Sequence, residues 1–89
     1  MAELVVHPRV MARHPELSEA GVVSAWENAL VSAPRTSKET NEHIALGFDN
    51  DGRLLEIVAV RLEGGSWLIY HAMTPPSKKT YAELGIERR

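Results

Sequence analysis

The sequence predicts an α+β fold, with two N-terminal helices packed on a small antiparallel sheet of three to four strands and a short C-terminal helix. Three observations carry this expectation. Apolar residues before Pro34 recur with a helical period, those after His43 alternate as in strands, and the strand-like segments are joined by turns short enough for hairpins. The chain has 89 residues and no internal repeat, low-complexity tract or linker, so a single domain over 1–89 is expected.

Leu4-Val5-Val6 is a candidate extra edge strand. His7-Pro8 reads as a helix start, since proline is tolerated at the first helical position, and Pro15 marks the end of a brief helix from Pro8 to about His14. Ser18 is a good N-cap for a longer helix running to about Ser32. Val22, Val23, Trp26, Ala29 and Leu30 would form its inward face, and Pro34 would stop it. Arg35 to Thr40 is polar and aperiodic, a loop. His43 to Phe48 then alternates, with Ile44, Leu46 and Phe48 on one face and His43, Ala45 and Gly47 on the other. Asp49-Asn50-Asp51-Gly52 is a turn of residues that tolerate positive φ. Leu54 to Leu62 is apolar on both faces, as in a central strand, and Glu63-Gly64-Gly65 is a second turn. Ser66 to Met73 gives a third strand, placing Trp67, Ile69, His71 and Met73 opposite Leu68, Tyr70 and Ala72. Thr74 would cap a last helix with Pro75 or Pro76 in its first turn and Tyr81 and Leu84 inward.

Composition narrows the function classes. The chain is 44% hydrophobic and 25% charged, a globular rather than a disordered balance. The absence of cysteine excludes disulfides and thiolate metal sites and fits a reducing compartment. No apolar run reaches the ~18–20 residues of a membrane span, and the N-terminus lacks a signal-peptide pattern, so a cytoplasmic protein without membrane association is expected. The net charge of −2 argues against non-specific nucleic-acid binding. An anionic ligand would need a local patch, and the segment from Thr74 offers one, with Lys78, Lys79, Arg88 and Arg89 against Glu83 and Glu87.

Several motifs are missing: G-x-x-x-x-G-K, G-x-G-x-x-G, H-E-x-x-H and G-x-S-x-G. Gly47 to Gly52 echoes a calcium loop, but Gly47 and Val58 occupy positions where calcium wants carboxylates. His7 and His14 suit no usual zinc spacing. No metal and no cofactor are expected.

The residues left to carry chemistry form three groups. His71, at the end of an apolar strand, carries an imidazole, a group suited to general acid–base work near neutral pH; alternatively it is a partly buried histidine bonded to a loop carbonyl. Lys78, Lys79 and Tyr81 on the last helix could hold a phosphate and stack on a base, or be a solvated face with Tyr81 as a core anchor. Arg53 and Arg61 share one face of the central strand and Glu56 the other. A guanidinium suits an oxyanion, although an exposed arginine beside a turn often serves only solubility. Arg13-His14 is a weaker candidate, because a helix C-terminus favours a cation in any case.

The order of segments Arg13-His14-Pro15-Glu16-Leu17-Ser18, Ala45-Leu46-Gly47-Phe48, Gly52-Arg53-Leu54-Leu55-Glu56-Ile57, and Ile69-Tyr70-His71-Ala72-Met73 followed by Lys79-x-Tyr81 resembles BrnT-like toxins of the RelE/ParE superfamily from bacterial type II toxin–antitoxin modules. The resemblance spans most of the chain from about Arg13 to Leu84. It implies a metal-independent endoribonuclease acting on mRNA, with or without the ribosome, and neutralised by an antitoxin encoded nearby. It further implies His71 or Tyr81 as the acid–base group and Arg53, Arg61, Lys78 and Lys79 as phosphate-binding groups. The chain departs from the family in being slightly acidic and in carrying Pro75-Pro76 where a basic stretch is usual. A second reading therefore stands beside the first: a non-catalytic domain of the same fold that pairs with an antitoxin-like partner or with itself, anchored by Trp26, Trp67 and Phe48.

Overall fold

The computed structural model describes residues 3–35 and 41–86. The predicted loop beyond Arg35 and the basic pair Arg88 and Arg89 lie outside the described residues. The elements are β1 (Leu4–Val6), α1 (Arg9–Arg13), α2 (Glu19–Glu27), β2 (Val31–Pro34), β3 (Glu42–Phe48), β4 (Leu54–Arg61), β5 (Trp67–Met73) and α3 (Lys78–Glu83), with a single 3₁₀ turn at Glu63–Gly65. One sheet of five strands runs in the order β1-β5-β4-β3-β2.

This architecture corrects the expected one. The sheet is mixed rather than antiparallel, because β1 pairs parallel with β5 while the other neighbours are antiparallel. It has five strands rather than three to four, and its helices are short and lie in different places around it. The fifth strand comes from the segment read as the end of a long helix. Ser18 does cap α2, accepting from Gly21 N at 3.0 Å, but the helix stops at Glu27. Leu30 N then donates to Leu46 O at 2.8 Å, and Val31 to Pro34 form a ladder on the free edge of β3. Ala29 and Leu30 fit the helical period, yet Leu30 is 66% exposed. Backbone pairing with β3 outweighs the local pattern.

α2 packs on one face of the sheet. Its Val22 and Ala25 meet Leu55, Ile57 and Ala59 of β4 and Ile69 and Ala72 of β5, all essentially inaccessible to solvent. Gly47 permits the close approach, since a Cβ there would sit 2.1 Å from the Ala25 carbonyl oxygen. Trp26 and Trp67 pack against this core at a ring separation of 5.5 Å, so of the three expected anchors only Phe48 is well exposed. α3 lies on the opposite face, tied to Glu56. Its cap is Ser77 rather than Thr74, with the Ser77 side chain accepting from Thr80 N.

β1 ends at Val6, and α1 takes its place beside the second half of β5. This position at the sheet edge lets α1 bury Val10 in the α2-side core while Arg9 and Arg13 reach the other face. A β-bulge between β4 and β5 completes the arrangement. Val58 pairs with His71 and Ala59 with Ile69, leaving Tyr70 as the extra residue. Strict alternation places His71 with Ile69. The bulge instead keeps Ile69 and Ala72 in the core and turns His71 to the face of Glu56.

Candidate functional site

The bulge opens the α3 side of the sheet into a cleft of about 450 Å³. Its floor is β3, β4 and β5, through Ile44, Glu56, Val58, Tyr70 and His71. One wall is α1, with Arg9 and Arg13, and the other is α3 with its cap, through Ser77, Lys79, Thr80 and Glu83. Arg35 closes the far end. A smaller hollow of about 70 Å³ shares Arg9, Arg13, Tyr70 and His71 and extends the cleft towards His14.

Glu56 is the hub of this site and is only 5% exposed. Its Oε1 accepts from Ser77 N at 2.7 Å, Ser77 Oγ at 3.0 Å and Thr80 Oγ1 at 2.6 Å. Its Oε2 lies 2.7 Å from His71 Nε2. Burial pushes this carboxyl up, but the bonds from His71, Ser77 and Thr80 together outweigh burial and hold it at about 2. Glu56 is therefore ionised at neutral pH and can only accept, so His71 carries a proton on Nε2. In the neutral ring, Nδ1 then presents a lone pair. Nδ1 has no hydrogen-bond partner among the described residues. The sum is an oriented imidazole with one free basic nitrogen in a half-exposed position.

A second network borders the cleft. Arg35 Nε and NH2 donate to the two oxygens of Glu83 at 2.7 and 3.1 Å, which fastens α3 to the end of β2. Arg35 also lies 3.7 Å from Glu42, and Tyr70 donates its hydroxyl to Glu42. Burial and the bond to Glu42 push the Tyr70 phenol up to about 12. Arg35 is thus neutralised in place, whereas Arg9, Arg13 and Lys79 have no acidic partner among the described residues. Since Glu56 and Glu83 are themselves engaged, the accessible charge of the cleft is positive on a chain that is negative overall.

The cleft brings together His71, Lys79, Glu56 and Arg13 among the residues singled out from sequence. Arg53 is elsewhere, clamping the β3–β4 turn. Its side chain bonds Asp49 at 3.0 Å and Asp51 at 3.2 Å, and its backbone N donates to Asp49 Oδ1 at 2.8 Å. Burial raises the Asp49 carboxyl, yet these bonds leave it lowered on balance. Arg61 is exposed at the other end of β4, about 26 Å from Arg53 by strand rise. Lys78 is exposed on α3 and Tyr81 half-buried there, and neither lines the cleft. Sequence reasoning did not connect Arg9, Arg35, Tyr70, Ser77 or Thr80 with the site. Arg9 and Arg13 had a legible signal, since a spacing of four puts both on one side of a short helix. The others depend on contacts distant in the chain. Among the described residues, no group of His, Asp and Glu could hold a metal ion, and no helix is long and apolar enough to cross a membrane. Comparison of the chain with protein-family models, curated proteins and solved structures gives no match.

Proposed function

We propose that the chain is a ribonuclease that cleaves RNA at this cleft with His71 as general base, and that it acts as a toxin of a type II toxin–antitoxin module in the bacterial cytoplasm. The observation that carries the reading is the His71–Glu56 contact of 2.7 Å beside three cations, Arg9, Arg13 and Lys79, that have no acidic partner among the described residues. His71 Nδ1 would take the proton from a ribose 2′-hydroxyl, whose oxygen attacks the adjacent phosphorus. The bond from phosphorus to the 5′-oxygen breaks, and that oxygen takes a proton from solvent in the open cleft. The products are a 2′,3′-cyclic phosphate and a 5′-hydroxyl. Lys79 and the α1 arginines would offset the charge that builds on the phosphoryl oxygens. The chain supplies the base and the compensating charge and solvent supplies the leaving-group proton, which supports metal-independent cleavage, and the need for a 2′-hydroxyl makes DNA inert. Because His71 lines the cleft and Tyr81 does not, the acid–base role is assigned to His71.

The test is incubation of purified protein with RNA and with DNA of the same sequence in excess chelator. RNA should yield cyclic-phosphate ends and DNA should persist. His71→Ala should slow cleavage by about 10²–10⁴-fold, the range for loss of a general base. Intact RNA in the presence of folded wild-type protein overturns the reading. Expression of the chain alone should arrest growth, and co-expression of the neighbouring open reading frame should relieve the arrest through a stable complex. Growth unaffected by the chain alone removes the toxin assignment.

A further inference from the structure

The cleft has cationic groups on both walls, carried by separate elements of the fold. Lys79 belongs to α3, whose cap hangs on Glu56, whereas Arg9 and Arg13 belong to α1 at the sheet edge. His71 lies between them and also lines the smaller hollow, which contains both arginines and not Lys79. Arg9 and Arg13 stand one helical turn apart, with Cβ atoms about 5–6 Å from one another on the same side. Both are exposed and neither forms an ion pair among the described residues; the C-terminus of α1 favours a cation at Arg13 but does not account for Arg9 on the same hollow. The acidic groups that line the cleft, Glu56 and Glu83, are already held by Ser77, Thr80, His71 and Arg35.

We infer that α1 forms a second phosphate subsite, so that the cleft takes a single RNA strand across two successive phosphates, one at Lys79 and His71 and the next at Arg9 and Arg13. This rests on the ribonuclease reading for its choice of polymer, and it adds the substrate class: a flexible single strand, whose neighbouring phosphates can follow the bend from α3 to α1. Planar, bidentate guanidinium groups suit a phosphate that is gripped but not transferred.

The experiment measures binding of a 2′-O-methyl RNA hexamer, which lacks the attacking hydroxyl, as a function of salt. Wild-type protein, Arg9→Gln/Arg13→Gln, the same pair with Lys79→Gln, and Arg61→Gln are compared. Arg61 lies at the far end of β4, and its removal sets the effect of net charge alone. The α1 pair should weaken the hexamer at least about tenfold and lower the slope of log affinity against log salt by about 0.7 for each phosphate that is no longer neutralised. Adding Lys79→Gln should lower the slope by about a further 0.7. A slope that Lys79→Gln leaves unchanged means one shared phosphate and overturns the inference. So does a loss no greater than that of Arg61→Gln, or a wild-type chain that binds no hexamer, in which case the α1 face awaits an acidic protein. The two proposals fail separately. Hexamer binding that needs Arg9 and Arg13 in a protein that leaves RNA intact removes cleavage and keeps the subsite. Cleavage that needs His71 while binding ignores Arg9 and Arg13 does the reverse.

Discussion

Replacing Glu56 with Gln removes one charge and changes almost no volume, yet it strikes both the stability and the chemistry of the cleft. Holding this carboxyl at about 2 rather than 4.5 is worth about 3 kcal/mol of stability at neutral pH. The folded chain binds the proton more weakly than the unfolded one. The contribution is therefore complete above about pH 4.5 and is lost as the pH falls towards 2, with about 2 kcal/mol gone by pH 3. Urea denaturation at pH 7 and pH 3 should show this loss in the wild type. In Glu56→Gln the difference between the two pH values should shrink by about 2 kcal/mol, with Asp49, also held low, supplying part of the acid sensitivity that remains. The amide also makes a second, separable change. With its oxygen towards Ser77 and Thr80, its NH₂ faces His71 Nε2, and the ring must then accept there and carry its proton on Nδ1. A ring in that tautomer has no lone pair in the cleft, so RNA cleavage should fall even where the variant is fully folded. Equal pH sensitivity in the two proteins, within about 0.5 kcal/mol, would falsify the assignment of Glu56 as an ionised hub.

Three further perturbations probe the parts that position the cleft. Gly47→Ala places a Cβ 2.1 Å from the Ala25 carbonyl, so α2 must move off the sheet; a loss of at least about 3 kcal/mol in thermal or urea denaturation is expected, and a near-neutral effect would show that α2 does not lie so close. Arg35→Ala and Glu83→Ala should each cost about 1–3 kcal/mol, and their double-mutant cycle should return a coupling of about 1 kcal/mol or more, because the pair is bidentate and both side chains are mostly buried; additive single effects would exclude the tie between β2 and α3. Tyr70→Phe should lose the phenol that titrates at about 12 in an alkaline absorbance titration and destabilise the chain by about 1–2 kcal/mol, since Glu42 then loses its donor and Glu42 Oε1 already has none; retention of that high transition would assign it to another tyrosine.

The segments β3, β4 and β5 and the cap of α2 were legible because their signals are local. Alternation marks Ile44, Leu46 and the β4 run, Asp49 to Gly52 can only turn, and Ser18 offers a hydroxyl to the first free amides of α2. His71 and Lys79 could be picked out as groups able to do chemistry. Their meeting could not. The segment Asn28 to Pro34 shows why, since its apolar spacing satisfies a helix and only the vacant edge of β3 makes a strand the better way to pair its amides.

By itself, then, the sequence determined the order of most elements, the small size of the core and the absence of thiol chemistry, all of which follow from residue type and near-neighbour spacing. Tertiary structure alone decided which face His71 takes, because one extra residue at Tyr70 reverses a period of two. It also decided that Glu56 would hold α3 and the imidazole at once, and that Arg9 and Arg13 would face the cleft. Those outcomes depend on pairs far apart along the chain, and a pattern of neighbours carries no information about them.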